Sequence, residues 1–146
     1  MKPWLILMSH GNFAQEAYES AKCIAGESDS LLTLCMSMED GGDGIRTKLD
    51  VALNCIPASA GVVIITDING GTPCNVAIEK MMRRDNTRIL TGLNLDMVIE
   101  YVVSPISDID ELCDAIRVAG TEAVEIIHIT KSETAGEINQ GVGYED

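Results

Sequence analysis

The stretch VVIITDINGGTP (residues 62–73) decides the fold. Its first four residues are all β-branched, and an apolar run without alternation indicates a strand that is buried on both faces. A short turn follows, and we expect Thr72 to cap a helix with Pro73 at its first position, where the missing N–H costs nothing. A buried strand that leads through a turn into a helix is typical of an α/β domain.

The same alternation runs along the chain on both sides of this stretch. The pattern predicts strands over residues 4–9, 31–36, 61–66, 88–91 and 124–130, and helices over residues 12–25, 45–56, 72–82, 94–102 and 108–119. We expect Phe13 on the apolar face of the first helix, and a flexible loop at the glycine-rich residues 41–44. Because strand–helix alternation implies right-handed crossovers, we predict a three-layer, doubly wound, mainly parallel sheet with helices on both faces.

Length and composition fit one cytoplasmic domain. The chain has 146 residues, of which 46% are hydrophobic, and we predict a domain over residues 1–130 with a polar tail over 131–146. Ten Lys and Arg against 23 Asp and Glu give a net charge of −13, which argues against binding to nucleic acid or an anionic membrane surface. We find no signal peptide and no run of membrane-spanning length, and five cysteines without a CxxC pair suit a reducing compartment.

The carboxyl ends of the predicted strands direct the search for a functional site. Ligands of open parallel sheets bind beyond these ends, where the strand order reverses, which selects the loops at residues 9–13, 67–73 and 91–94. His10 ends the first strand and Gly11 follows it. The amides of the next helix start, including those of Asn12 and Phe13, have no intrahelical acceptors and favour an anion such as a phosphoryl group beside the imidazole.

Asp67 ends the third strand, which is commonly a neighbour of the first strand in such sheets. A carboxylate on one ring nitrogen of His10 would fix the tautomer and leave the other nitrogen as a nucleophile toward phosphorus. Gly70 and Gly71 let backbone N–H groups approach the anion, and Thr72 adds a hydroxyl. These residues together predict a phosphoryl-accepting site.

Each of these residues has an ordinary structural role when it is taken alone, so the prediction depends on their combination. His128 lies between two isoleucines and is predicted to be a structural histidine within the last strand.

The sequence lacks a P-loop, a GxGxxG turn and a GxSxG elbow. With two distant histidines and no Cys–His cluster, we predict no metal site.

Three segments taken together resemble a known family: LILMSHG (5–11), IITDINGGTPCN (64–75) and TGLNL (91–95). They are similar to the enzyme IIA component of the mannose–fructose–sorbose class of the bacterial sugar phosphotransferase system, over about residues 2–130. The resemblance implies that His10 accepts a phosphoryl group from the histidine-phosphocarrier protein and passes it to an enzyme IIB partner. It also implies that Asp67 pairs with the ring and that Thr72 takes the Ser/Thr position near the phosphoryl group. Neither a cofactor nor a metal is expected, since the donor carries a single phosphoryl group.

The resemblance also implies an assembly. Members of the family are homodimers, and residues 124–130 match a C-terminal strand, expected to be antiparallel, that is exchanged or packed across the interface. Because the chain ends at Asp146, we expect the IIB partner to be a separate polypeptide. Asn69 stands where some relatives have an aromatic residue. The membrane components, which bind the sugar, would be contacted only indirectly.

Two other functions remain open from the sequence. The phosphotransfer subunit of dihydroxyacetone kinases shares the fold and the histidine, but it typically lacks the Gly-Gly-Ser/Thr-Pro block that residues 70–73 match. A regulatory domain that senses phosphorylation without relaying it belongs to a different class. Transfer of the phosphoryl group onward to a IIB protein would exclude this second alternative.

Overall fold

The computed structural model describes residues 1–131 and 137–138. Strands and helices alternate in the predicted order through most of this length. The elements are β1 (Trp4–His10), α1 (Phe13–Ala25), β2 (Leu31–Met36), α2 (Gly41–Asn54), β3 (Val62–Thr66), α3 (Thr72–Met81), β4 (Thr87–Leu90), α4 (Leu95–Val103), α5 (Ile109–Glu122), β5 (Ile129–Thr130) and β6 (Glu137–Ile138).

The main sheet has four parallel strands in the order β2-β1-β3-β4. Leu5 of β1 is in register with Leu31 of β2 on one side and with Val63 of β3 on the other. From β1 the chain passes to β2 on one side of β1 and then crosses to β3 on the other side. The strand order therefore reverses between β1 and β3. This arrangement confirms the predicted α/β class and puts the ends of these two strands side by side.

Helices cover both faces of the sheet and create two apolar cores. One core joins α1, α4 and α5 to the odd-numbered side chains of β1, such as Leu5 and Leu7. The other joins α2 and α3 to the even-numbered side chains, such as Ile6 and Met8. All four of these strand side chains are fully buried. Because both faces are covered, the strands are continuously apolar, which explains the pattern seen in the sequence.

Three local predictions were wrong. The glycine-rich residues 41–44 form the start of α2 instead of a loop. Asp40 holds this helix start on both sides: its carboxylate accepts the Ser37 N–H at 2.8 Å, and its carbonyl accepts the Gly44 N–H at 2.9 Å. Phe13 is 47% exposed, and the buried face of α1 begins at Ala14. The cap of α3 is Gly71, and Thr72 is already the first helical residue.

The predicted C-terminal strand was also wrong in its extent. Only Ile129–Thr130 is a strand, and it pairs antiparallel with β6 instead of joining the main sheet. Residues 124–128 have no strand partner within the described chain, and His128 is an exposed residue of this segment rather than a strand residue. Residues 132–136 and 139–146 of the predicted tail lie outside the described residues. None of the helices in the described part of the chain has the length and apolar composition of a bilayer span.

Candidate functional site

The paired ends of β1 and β3 bring His10 and Asp67 together. The His10 Nδ1 lies 2.8 Å from the Asp67 Oδ2, although the residues are 57 positions apart in the chain. The His10 side chain is 47% exposed and the Asp67 side chain 12% exposed. The imidazole therefore faces solvent while the carboxylate that holds it is largely covered.

Asp67 is fixed by three donors. Its Oδ2 accepts the His10 backbone N–H at 2.9 Å as well as the ring, and its Oδ1 accepts the Ile68 N–H at 2.9 Å. Burial alone would raise the pKa of the Asp67 carboxyl, but the hydrogen bonds from His10 and Ile68 outweigh it and hold this pKa below its ordinary value. The carboxylate is thus charged at neutral pH and acts as an acceptor.

This contact decides which ring nitrogen of His10 is reactive. Since a carboxylate can only accept, the Nδ1 carries the proton that it donates to Asp67. The Nε2 on the far side of the ring then holds the free lone pair. The arrangement provides a solvent-facing nitrogen nucleophile with a carboxylate behind it to balance positive charge on the ring.

Gly71 packs against the same ring. A Cβ built on Gly71 would lie 2.8 Å from the His10 Cε1 and 3.0 Å from the Ile68 Cγ2. The contact with the ring is shorter than the distance at which carbon atoms meet, and the contact with Ile68 is tight, so a side chain at position 71 would have to displace the imidazole. Gly71 therefore does more than the sequence analysis predicted, because it sets the space that the imidazole occupies.

The turn after β1 is tied to the strand and to the neighbouring loop. Gly11 has φ +55°, a left-handed conformation that glycine adopts without strain, and its N–H donates to the Met36 carbonyl at 2.8 Å. The buried Ser9 hydroxyl accepts the Ala14 N–H at 2.7 Å. Asn12 precedes α1, but its side chain makes no capping bond.

Sequence reasoning missed Ser9 as a site residue. A serine just before His10 looks like an ordinary strand residue, and its spacing to Ala14 matches no standard capping pattern, since the residue that caps a helix is normally the one just before it. The available signal was a polar residue at the end of an otherwise apolar strand. Such a residue needs a hydrogen-bond partner when it is buried.

The loop after β3 forms the other wall. Gly70 is exposed with φ +83°, and its carbonyl accepts the Asn75 Nδ2 at 3.4 Å. Thr72 is half-buried, and no hydrogen bond joins it to His10 within the described chain. The third predicted loop supports the fold, since the Leu93 N–H donates to the Thr66 carbonyl at 3.1 Å and the Asn94 side chain accepts the Met97 N–H at 3.2 Å.

Comparisons with known proteins place the chain in a family. The profile of the family described as "PTS system fructose IIA component" matches residues 4–117. The fructose-specific EIIA component of the phosphotransferase system of Bacillus subtilis (strain 168) is 30% identical over 98 residues, which is 67% of this chain and 67% of that protein. The mannose-specific EIIAB component of Escherichia coli (strain K12) is 22% identical over 90% of this chain, which spans only 41% of that longer protein.

A solved structure is similar over nearly its whole length. The mannose/sorbose-specific IIA subunit of the phosphotransferase system from Enterococcus faecalis superposes with a TM-score of 0.85 at 39% identity, covering 90% of this chain and 99% of that one. The family match covers both strand ends that hold His10 and Asp67. The chain belongs to the mannose-class EIIA family of the phosphotransferase system, whose proteins serve in sugar phosphotransfer.

Proposed function

We propose that this protein is a phosphocarrier whose His10 accepts a phosphoryl group from the phosphorylated histidine-phosphocarrier protein. It then passes the group to an enzyme IIB partner during the coupled uptake and phosphorylation of a hexose or related sugar. The observation that carries the proposal is the 2.8 Å contact between the His10 Nδ1 and the Asp67 Oδ2, which leaves an exposed Nε2 as the nucleophile.

The transfer step needs only the two histidine rings and the Asp67 carboxylate. The lone pair of the His10 Nε2 attacks phosphorus, and the bond between phosphorus and the donor's ring nitrogen breaks, returning its electron pair to the donor. The positive charge that the His10 ring gains lies next to the Asp67 carboxylate, which keeps its hydrogen bond to Nδ1 throughout. In the onward step the IIB acceptor is the nucleophile, the bond between phosphorus and the His10 Nε2 breaks, and its electron pair returns to the ring, which becomes neutral again. The transition state for such transfers is loose, so positioning and charge stabilisation are what the protein supplies.

Two turns supply the phosphoryl-binding groups in this proposal. The backbone N–H groups of residues 12 and 13, at the start of a 13-residue helix, lie just beyond the end of β1 where His10 emerges. The Gly11 N–H is already bonded to the Met36 carbonyl, so Gly11 contributes by having no side chain to block the approach. Gly70, Gly71 and the Thr72 hydroxyl lie at the start of α3, beyond the end of β3. Both helix starts present the positive end of a helix dipole, which favours an anion.

The proposal includes a cytoplasmic homodimer that works with a separate IIB protein. Residues 124–130 carry four exposed large apolar side chains, Val124, Ile126, Ile127 and Ile129. Exposed apolar groups in this number favour burial against another surface. A second copy is the expected cover, with this segment packed or exchanged across the interface. Sedimentation at several concentrations tests the dimer independently of the chemistry.

Reconstitution tests the phosphocarrier role. Purified protein is incubated with phosphoenolpyruvate and the upstream phosphorelay proteins, and acid-labile, alkali-stable label on the chain is then chased with an enzyme IIB protein. We expect wild type and His128→Ala to be labelled and to lose the label to IIB, and His10→Ala to remain unlabelled. His128 is the matched control because it is the other histidine of the chain and lies away from His10 and Asp67 in sequence and outside the strand ends that hold them. Because its segment is the proposed interface, sedimentation checks that His128→Ala assembles as wild type does.

Other outcomes would identify the alternatives. Label on His10→Ala rejects His10 as the acceptor. Label that stays on wild type in the presence of several IIB proteins indicates a sensing domain, and label that moves only to a kinase subunit indicates the dihydroxyacetone kinase system.

A further inference from the structure

The Ser9 hydroxyl connects the end of β1 to the turn that follows it, and the proposed phosphocarrier mechanism has not used it. Ser9 is fully buried, directly before His10. Its Oγ accepts the Ala14 N–H at 2.7 Å and donates to the Gly11 carbonyl at 3.3 Å. One hydroxyl thus holds both sides of the turn that carries the amides beside His10.

The bond to Gly11 also sets the direction of the next amide. A trans peptide is planar, and its C=O and N–H point in opposite directions. Because the Gly11 carbonyl is directed at the buried Ser9 hydroxyl, the Asn12 N–H of the same peptide points away from the core. Asn12 is exposed, so this N–H faces the solvent side of the turn, where the His10 ring also emerges.

This amide is free to bind a ligand. Among the contacts of residues 1–131, neither the Asn12 N–H nor the Phe13 N–H has an acceptor, whereas the Gly11 and Ala14 N–H groups on either side are both bonded. Free amides at a helix start are common, but here a buried side chain fixes the peptide that carries one of them. The Asn12 side chain takes no part in this arrangement, since it makes no capping bond.

We propose that Ser9 is a positioning residue for phosphoryl transfer, because its hydroxyl holds the peptide between Gly11 and Asn12 so that the Asn12 N–H meets the phosphoryl group on His10. Ser9 itself touches neither the phosphoryl group nor the ring. The inference rests on the proposed phosphocarrier function and deepens it. If Ser9 were only a structural cap, loss of its hydroxyl would lower the free energy of unfolding and leave the rate of phosphoryl transfer unchanged.

Kinetics of three variants separate these two roles. Ser9→Ala removes the hydroxyl, Ser9→Thr keeps it, and Ser30→Ala is the control, because the Ser30 hydroxyl bonds the Tyr101 hydroxyl at 2.9 Å at the opposite end of the sheet. We expect Ser9→Ala to lower kcat for phosphoryl transfer about tenfold or more, with the KM for the phosphodonor unchanged, since an oriented backbone donor acts mainly in the transition state. Ser9→Thr should retain most of the rate, and Ser30→Ala all of it.

Two kinetic results would contradict the inference. A Ser9→Ala protein with wild-type kcat refutes it. So does an equal loss of kcat in Ser9→Ala and Ser30→Ala at matched melting temperatures, since that pattern reports general destabilisation.

A measurement on wild type keeps the inference testable if Ser9→Ala does not fold. The protein labelled with ¹⁵N is phosphorylated at His10 with phosphoramidate, and its amide spectra are compared before and after. We expect the Asn12 amide proton to move downfield as it bonds the phosphoryl group, with the Ala14 amide nearly unchanged because it stays bonded to Ser9. An Asn12 amide that does not move refutes the inference while the phosphocarrier function stands. A wild type that accepts no phosphoryl group from the protein relay refutes the function and the inference together.

Discussion

Replacing Gly71 with alanine should displace the nucleophile without straining the backbone. Gly71 has φ −75° and ψ 166°, a conformation that alanine adopts freely. Its new Cβ, however, would lie 2.8 Å from the His10 Cε1. Carbon atoms in contact are about 3.5–4.0 Å apart, so the ring has to retreat by about 0.7 Å or more.

A displacement of this size disrupts the 2.8 Å contact between the His10 Nδ1 and the Asp67 Oδ2. A hydrogen bond to a charged group contributes about 1.5–3 kcal/mol, and each 1.36 kcal/mol is about tenfold in rate. If the ring must recover its place in the transition state, the transfer rate of Gly71→Ala should fall by about 10- to 150-fold.

The assay is the initial rate of phosphoryl transfer from the labelled donor protein, with circular dichroism as a check on folding. Gly42→Ala is the matched control, because its Cβ would lie 3.7 Å from the Thr72 Cγ2, which is an ordinary contact. We expect its rate to stay close to that of wild type. A wild-type rate for Gly71→Ala, or an equal loss in both variants, would refute the argument that Gly71 holds the ring.

Four further predictions rest on individual contacts and on the burial of single groups. Asp67→Ala should lower the transfer rate about 100-fold with the fold retained, since the ring loses a charged partner, and an unchanged rate would count against its orienting role. Because the pKa of Asp67 lies below its ordinary value, this carboxylate adds stability above about pH 4, and that stability is lost as the pH falls further. Below about pH 4 the urea midpoint of wild type should therefore drop more steeply than that of Asp67→Ala. Asn94→Ala removes the cap of α4 and should cost about 0.5–2 kcal/mol, measurable as a lower melting temperature. Burial raises the pKa of the Cys113 thiol to about 11, so at about pH 8 iodoacetamide should label it far more slowly than the exposed Cys55, and equal rates would contradict this.

The sequence predicted the central sheet well because both of its faces are buried. Strands covered on two sides need continuous apolar runs, and such runs are visible without knowing the partner strands. The approach of His10 to Asp67 followed from the same reasoning, since adjacent parallel strands end at the same edge. What the sequence left open was the conformation of each loop, which depends on single hydrogen bonds such as the one from Ala14 to Ser9.

Predictions that depended on single residues were less successful. Glycine usually argues against a helix, yet Gly44 lies within the first turn of α2 because Asp40 supplies the hydrogen bonds that start it. Phe13 follows the helical pattern, but its side chain is 47% exposed in the described chain, because the buried face of α1 begins one residue later, at Ala14. The isoleucine-rich residues 124–130 resemble a strand, but a strand needs a neighbour to bond its backbone, and only Ile129–Thr130 has one in the described chain.

The most direct test identifies the nitrogen atom that carries phosphorus. Protein with ¹⁵N-labelled histidine is phosphorylated by the upstream relay, and the ring nitrogens of His10 are assigned by NMR through their coupling to phosphorus. We predict phosphorus on Nε2, with Nδ1 still protonated and bonded to Asp67. Phosphorus on Nδ1, or on any residue other than His10, would contradict the account.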